Sequence, residues 1–151
     1  VVSTEDMLNA ILRVFDQCDM VIKAAAPADF KPGIFSESKI KKHEHKDMTM
    51  QLIANPDILT TLSSIKKNQK LVGFAAETDD LATYAVEKLQ RKGLDMIVAN
   101  DVTQTGAGFG ADTNVVTVYK PDGYAKEYPM ADKDAIAHHV LDEAAQLFAG
   151  E

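Results

Sequence analysis

Residues 20–42, MVIKAAAPADFKPGIFSESKIKK, are the stretch around which the rest of the chain is organised. The apolar start, 20–26, is typical of a strand buried on both faces of a sheet. Small residues then lead to a carboxylate, Asp29, and a long loop or flap, residues 30–45, carries a cluster of lysines, Lys39, Lys41 and Lys42. Lysines supply point charges for phosphate groups, so this arrangement favours a site for a phosphorylated ligand.

Apolar runs and amphipathic stretches alternate along the chain on both sides of this stretch. The predicted strands are 20–26, 47–53, 71–76, 96–99, 115–119 and 124–128, the last two forming a hairpin around Pro121-Asp122-Gly123. The predicted helices are 3–17, 55–67, 79–92 and 132–149. This order predicts a three-layer, Rossmann-like α/β fold with a mostly parallel sheet and an antiparallel hairpin at its edge.

Length and composition limit the classes of function. The 151 residues fit one domain, 1–151, and the net charge of −7 argues against non-specific binding to nucleic acid or to anionic membranes. The single cysteine, Cys18, rules out an internal disulfide and fits a reducing cytoplasm. No apolar run approaches the roughly 20 residues of a membrane helix, and no signal peptide is expected.

Three of the predicted strands end in comparable sequences, AAAPAD (24–29), GFAAET (73–78) and IVAND (97–101). In open parallel sheets, ligands bind beyond the carboxyl ends of the strands. If the three strands are parallel neighbours, one crevice is lined by Asp29, Glu77, Thr78, Asn100 and Asp101. The alternative is that these polar residues are helix caps and loop residues, which strand ends also need.

Two further lysines, Lys88 and Lys92, are four residues apart and share one face of a predicted helix. Alone, such a pair is most often part of a solvated face, but together with the flap lysines it favours a nucleoside triphosphate. A helix is predicted to start at 55–57, with Asn55 as its cap and Pro56-Asp57 in its first turn. The free N–H groups of this helix start can face an anion or a base.

Other motifs carry weaker signals. The GAGFG sequence, 106–110, is not a dinucleotide fingerprint because no strand–turn–helix unit surrounds it. A dinucleotide oxidoreductase is therefore disfavoured. His43 and His45 lie in a charged loop and are expected to be solvated. From the residues alone, a non-catalytic Rossmann-like nucleotide-binding module stays open beside an enzyme.

The motifs also fit a known family when they are taken in order. Over 20–148 the chain resembles bacterial phosphopantothenate–cysteine ligase in an ordered set of motifs, namely KAAAPADF, SESKIKK, NPDIL, LVGFAAET, KLQRKGLDMIVANDV and GFGADTN. That enzyme is the second catalytic half of the bifunctional coenzyme A biosynthesis flavoprotein. The resemblance implies CTP-dependent ligation of 4′-phosphopantothenate to cysteine through an acyl-cytidylate. It also implies Mg²⁺ with the triphosphate, a homodimer, and a possible fused flavin-dependent decarboxylase.

The resemblance assigns residues by position. Lys39 is implied as catalytic, and the implied nucleotide contacts are Ala24, Ala25, Asp29, Lys39, Pro56, Asp57, Ile58, Leu59, Phe74, Lys88 and Lys92. Asn100 and Asp101 are expected on the substrate side or at the dimer contact.

The chain departs from the family pattern in two places. Lys23 stands where the family pattern has a small residue. The family's N-terminal portion, with a glycine-rich first turn and an Asn-Arg segment that handles phosphopantothenate, is absent from these 151 residues. We therefore expect the chain to hold the nucleotide half of a site.

Overall fold

The structure, a computed structural model, describes residues 1–41, 47–77, 80–104, 106–107 and 110–149, without the side chain of Glu77. The strands are β1 Met20–Lys23, β2 Phe30–Pro32, β3 Leu52–Ala54, β4 Lys70–Glu77, β5 Met96–Asp101, β6 Thr113–Tyr119 and β7 Ala125–Asp132. The helices are α1 Thr4–Leu12, α2 Ile58–Ile65, α3 Leu81–Arg91 and α4 Lys133–Ala145. None of these helices is long and apolar enough to cross a bilayer.

The main sheet has the strand order β1-β4-β5-β6-β7. Strand β4 pairs in parallel with β1 and with β5, whereas β6 runs antiparallel to its neighbours β5 and β7. The strands β2 and β3 form a separate antiparallel pair. The predicted α/β fold, with a mostly parallel sheet and an antiparallel hairpin at its edge, is confirmed.

Helices cover both faces of the sheet and make the three layers. On one face, residues of α1, α2 and α3 pack with Leu71 and Ile97 of the sheet. On the other face, Ile136 and Val140 of α4 pack with Val72 and its neighbours. Because side chains alternate along a strand, Leu71 and Val72 point to opposite layers, which is why β4 reads as a continuous apolar run.

The structure corrects the prediction for the first strand. Strand β1 is shorter than the predicted 20–26, and its side chains are only partly buried, with Ile22 38% exposed. Within the described part of the chain, β1 pairs only with β4 and so lies at the edge of the sheet. Residues 24–29 lie outside the sheet and form an irregular segment.

The predicted flap contains regular structure. Lys31 of β2 pairs with Ile53 of β3, so residues 30–32 are a strand that the sequence did not predict. The strand predicted at 47–53 is reduced to β3, residues 52–54, which pair with β2, and just before it the Gln51 carbonyl accepts a hydrogen bond from the Gly33 N–H at 2.8 Å.

The start of α2 differs from the prediction in its cap. Asp57, not Asn55, is the N-cap, and its Oδ1 accepts a hydrogen bond from the Thr60 N–H at 3.2 Å. Asn55 instead donates from Nδ2 to the Ala28 carbonyl at 2.9 Å, and its backbone N–H donates to the Asp29 carbonyl at 2.8 Å. These two bonds hold the segment after β1 against the start of α2.

The hairpin of β6 and β7 is fixed to α4 by a buried carboxylate. The side chain of Glu143 is 1% exposed and accepts hydrogen bonds from Lys120 Nζ and Tyr128 Oη, each at 2.7 Å, from Tyr124 Oη at 2.8 Å and from Lys126 Nζ at 3.2 Å. Burial alone would raise the pKa of Glu143, but these hydrogen bonds outweigh it and lower the pKa to about 2.

Replacing this carboxylate is expected to destabilise the fold. Glu143→Gln leaves Lys120 and Lys126 without a counter-charge and should lower the free energy of unfolding at pH 7 by about 3 kcal/mol. The folded pKa of Glu143 lies below its ordinary value of 4.5, so its contribution is complete above pH 4.5 and is lost as pH falls towards 2. Urea unfolding at pH 7 and pH 3 measures both effects.

The neighbouring exposed acid, Asp142, provides the control. Asp142→Asn should change the free energy of unfolding by less than about 0.5 kcal/mol. Equal losses in the two variants, or an unchanged pH dependence in Glu143→Gln, would contradict the role assigned to Glu143.

Candidate functional site

A cleft of about 330 Å³ lies at the carboxyl ends of β1, β4 and β5, where parallel sheets bind ligands. It brings together most of the residues predicted from the three strand ends and the two helices. Those that line it are Ala24, Ala25, Asp29, Leu59, Phe74, Lys88, Lys92 and Asn100. The parallel pairing of β4 with β1 and β5 is the reason that segments so far apart in sequence share one cleft.

A glycine in β4 lets α2 approach the sheet at the cleft. A Cβ atom on Gly73 would lie 2.8 Å from Cδ1 of Leu94 and 3.0 Å from Cδ1 of Leu59. Both distances are too short for carbon atoms, so a larger residue would push Leu59 away from the strand. Because Leu59 also lines the cleft, Gly73 helps to set its wall.

A second cleft of about 390 Å³ adjoins the first over the surface of α3. The two share Asp29, Lys88 and Lys92. The second cleft is also lined by Asp57, one of the implied nucleotide contacts, and by three residues that were not predicted to bind a ligand, namely Tyr84, Glu87 and Arg91. The shared lysines therefore face a region larger than either cleft alone.

An ion pair joins the end of α3 to the start of α2 within this region. Lys92 Nζ lies 2.9 Å from Asp57 Oδ2, with the two side chains 18% and 44% exposed. Burial raises the pKa of Asp57, but the hydrogen bonds from Lys92 and Thr60 outweigh burial, so the net pKa is lowered. The pair holds Lys92 at the cleft and keeps Asp57 ionised as the helix cap.

The cleft has an excess of positive charge in an otherwise acidic chain. Lys23, Lys88 and Lys92 all line it, against the carboxylate of Asp29. The pKa of Lys23 is lowered, first by burial and then by the charge of Lys92, whereas Asp57 raises it. The positive charges of these lysines disfavour one another, and a bound anion would neutralise them.

Other predicted residues lie elsewhere. Lys39 is exposed and lines neither of these clefts, and Ile58 is 2% exposed with its side chain in the core. Pro56 is partly buried just before α2. Asp101 accepts hydrogen bonds from Thr103 Oγ1 at 2.6 Å and from Gln104 Nε2 at 2.9 Å.

The hydrogen bonds from Thr103 and then Gln104 lower the pKa of Asp101. Asp101 closes the turn after β5 and does not line the cleft. It therefore fits the alternative interpretation, in which the polar residues at strand ends serve the loops. Further predicted residues lie outside the described part of the chain: Lys42, His43, His45, Thr78, Gly108, Phe109 and the side chain of Glu77.

Several residues of the cleft were not predicted, and Lys23 is the charged one among them. Lys23 was taken as a departure from a family pattern, but it lines the cleft together with Lys88 and Lys92. Its position directly before AAAPAD was the available signal, since the last residue of a strand that ends at a site is close to that site. Asn100 was predicted, and its Oδ1 atom is buried without a hydrogen-bond partner among the described residues.

The metal expected with a triphosphate can be compared with the donors present. No group of three His, Cys, Asp or Glu residues within the described ranges is arranged to hold a metal ion. Mg²⁺ usually takes one or two carboxylates and completes its shell with phosphates and water. Asp29 lines both clefts, so the site fits an ion held mainly by the phosphates of a ligand.

A larger cleft of about 570 Å³ lies at the opposite end of the sheet. Its lining includes the carboxylates of Asp16 and Asp19, and its lysine, Lys67, pairs with Asp16 at 3.3 Å. It also lies near the amino ends of β1 and β4. Its charge and position both disfavour it as the site of an anionic ligand.

A family model described as the DNA/pantothenate metabolism flavoprotein C-terminal domain matches residues 1–148. The chain belongs to this family. The resemblance found in the sequence motifs is thereby confirmed, and the cleft described above is that of a family member.

Relatives and solved structures agree with this assignment. The Coenzyme A biosynthesis bifunctional protein CoaBC of Bacillus subtilis (strain 168) is 50% identical over 145 residues, which are 96% of this chain and 36% of that protein. A Cysteine/Cysteine sulfinic acid decarboxylase from an unknown prokaryotic organism is 42% identical over 146 residues, 96% of this chain and 40% of that protein. The chain thus spans little more than a third of the length of these relatives.

The crystal structure of the C-terminal domain of a Coenzyme A biosynthesis bifunctional protein CoaBC has a TM-score of 0.79 with this chain at 38% identity. The alignment covers 100% of this chain and 67% of that one. The three-layer fold described here is therefore the fold of that domain.

The ion pair at the cleft leads to a prediction on stability. Asp57→Ala removes both the cap of α2 and the partner of Lys92, and should lower the free energy of unfolding by about 1 kcal/mol. Asp57→Asn keeps a good capping side chain and should recover most of this loss. The ion pair with Lys92 adds little to the free energy of unfolding, because the Asp57 side chain is 44% exposed. Urea unfolding compares the two variants, and equal losses would show that the charge outweighs the cap.

Proposed function

We propose that this domain carries out CTP-dependent ligation of 4′-phosphopantothenate to cysteine, through an acyl-cytidylate, in coenzyme A biosynthesis. The observation that supports this most directly is the lysine-lined cleft at the strand ends of a chain whose relatives include bifunctional coenzyme A biosynthesis proteins. The domain, residues 1–151, would supply the nucleotide half of the site. A segment that binds phosphopantothenate would complete it.

The proposed reaction has two steps. A carboxylate oxygen of phosphopantothenate attacks the α-phosphorus of CTP, forming a P–O bond and breaking the bond to the β-phosphate, so that pyrophosphate leaves. The amine of cysteine then attacks the acyl carbon, forming the C–N bond and releasing CMP with loss of an amine proton. Both steps move negative charge on phosphate groups, and the cations of this chain would stabilise that charge.

The cleft suggests a division of roles. Ala24, Ala25, Leu59 and Phe74 would contact the nucleoside, since small and apolar residues permit a close approach. At the start of α2, Asp57 and Ile58 would offer backbone N–H groups, whereas Pro56 has none and would only contact the ligand. The N–H is the only contribution open to Ile58, because its side chain is in the core.

The charged residues would act on the triphosphate. Lys88 and Lys92 would bind the phosphates, and Lys39, which lies after β2, would reach them from outside the cleft. Asp29 would face the nucleotide or its Mg²⁺, which when bound neutralises part of the phosphate charge. Asn100 would lie on the substrate side, where its unpaired oxygen can accept a hydrogen bond, and Asp101 would shape the loop beside it.

The family also suggests the setting of the domain. We propose that the parent protein is cytoplasmic and carries a fused flavin-dependent decarboxylase, in keeping with the bifunctional name of the Bacillus subtilis relative. The relative named as a cysteine and cysteine sulfinic acid decarboxylase makes decarboxylation of cysteine a second candidate reaction.

An activity assay on the full-length protein tests the ligase. With CTP, phosphopantothenate and cysteine, we expect pyrophosphate release that needs all three substrates. Lys39→Ala should lower kcat at least about tenfold without changing stability, because Lys39 is exposed and would act only on the charge of the reacting phosphates. Lys67→Ala, at the far end of the sheet, is the matched control and should keep full activity.

The other outcomes distinguish the alternatives. CTP binding without pyrophosphate release would indicate a non-catalytic nucleotide-binding module, and CO₂ release from cysteine alone would indicate a decarboxylase. Full activity in Lys39→Ala would remove Lys39 from the catalytic site while leaving the ligase in place.

We also propose that a second copy of the chain covers the ribbon of β2 and β3. Large apolar side chains are exposed on the ribbon and on its flanking segments, namely Phe30, Ile34, Phe35, Met48, Met50, Leu52 and Ile53. Large apolar side chains exposed in such number on one ribbon and its flanks are a mark of an interface. A homodimer agrees with what the motif resemblance implies.

Sedimentation velocity tests the dimer. The protein should sediment as a dimer at micromolar concentration, and Leu52→Asp should make it a monomer because the charge would be buried in the interface. Leu141→Asp, at an exposed apolar residue of α4 on the opposite face of the sheet from α1, should leave the dimer unchanged. A monomeric wild-type protein at high concentration would refute the proposal.

A further inference from the structure

We propose that Lys23 binds the polyphosphate of the nucleotide together with Lys88 and Lys92, and so makes the cleft prefer a nucleoside triphosphate to a monophosphate. A ligase that converts one into the other needs this preference in order to bind its substrate and release its product. The identity of the nucleotide rests on the proposed function; the binding of a polyphosphate anion does not.

The position of Lys23 places its ammonium group at the cleft. It is the last residue of β1 and pairs with Gly73 of β4, so its backbone is fixed at the strand end. Its Nζ donates a hydrogen bond to the carbonyl of Ala25 at 3.0 Å, which folds the side chain over the small residues that follow the strand. Ala25 and Lys23 line the same cleft as Lys88 and Lys92.

The ammonium group of Lys23 is available for an anion. Lys92 has a carboxylate partner in Asp57, at 2.9 Å. Among the described residues, Lys23 forms no such salt bridge, and its hydrogen-bond acceptor is a neutral carbonyl. A phosphate oxygen is a stronger acceptor than a carbonyl because the bond is assisted by charge on both partners. Exchange of one acceptor for the other needs only a rotation of the lysine side chain.

The electrostatics of the cleft favour a highly charged ligand. Burial and the charges of Lys92 and Lys88 lower the pKa of Lys23, while Asp57 and Asp29 raise it. The ammonium groups thus repel one another across the cleft, and an anion between them removes that repulsion. A triphosphate has more negative charge and a longer reach than a monophosphate, so it can contact Lys23 and the α3 lysines at once.

The simplest alternative is that Lys23 only closes the strand end through Ala25. Lys23→Gln separates the two roles, because glutamine keeps an N–H donor for the Ala25 carbonyl but has no charge. Lys23→Met removes both, and Lys23→Arg keeps the charge. Lys67→Gln, at the opposite end of the sheet, is the matched control for the loss of one positive charge.

Calorimetric titration of the full-length protein with CTP, CMP and inorganic tripolyphosphate at one ionic strength tests the proposal. Lys23→Gln should weaken CTP and tripolyphosphate binding about tenfold or more, the effect of losing one charge-assisted hydrogen bond. It should weaken CMP binding less than about threefold. Lys23→Arg should retain most of the affinity for CTP, and Lys67→Gln should match the wild type for all ligands.

The ligands separate this inference from the proposed function. If the wild type binds CTP and Lys23→Gln does not weaken that binding, the inference is overturned. The same holds if Lys23→Gln weakens the binding of CTP and CMP equally, and in both cases the proposed ligase function is unaffected. Tripolyphosphate binding that depends on Lys23, without CTP binding, supports the inference and overturns the proposed function. Binding of none of the three ligands by the wild type overturns both.

Discussion

The parallel pairing of β4 with β1 on one side and β5 on the other is the constraint on which the rest of the structure depends. Val72 pairs with Ile22 and with Met96, so the three strands are held in one register and end at one edge. Parallel strands require crossover connections, and here α2 and α3 provide them on one face of the sheet. The cleft follows from this arrangement, because three strand ends and two crossover helices meet at the same edge.

The same arrangement accounts for the chemistry of the cleft. The helix after β4 ends close to where the helix before β4 begins, so Lys92 meets Asp57 although they are far apart in sequence. Small residues at the strand ends leave room beside the backbone, and Gly73 allows Leu59 to close one wall. In a chain with a net charge of −7, a local excess of lysines attracts an anion to this cleft against the repulsion of the overall charge.

The sequence predicted those features that local patterns determine. Three elements lie close to their predicted places, namely the apolar strand β4, the helix α3 and the hairpin of β6 and β7. Gly93, which follows α3, has a positive φ. Features decided by tertiary contacts were missed. Asn55 and Asp57 are both good capping residues, and only the hydrogen bond from Asn55 to Ala28 leaves the cap to Asp57. Likewise, an apolar pattern cannot show that β1 pairs with β4 alone among the described residues, nor that Phe30–Pro32 finds a partner about twenty residues later.

The central claim is that an anionic nucleotide binds at the strand ends and not at the larger cleft on the far side. Amide chemical shifts recorded by NMR during a CTP titration test it most directly, because they report every backbone position at once. The account predicts the largest shifts at 23–29 and 73–76 and at the start of α2, with none around Asp16 and Asn68. The largest shifts around Asp16 and Asn68, with none at 23–29, would contradict it.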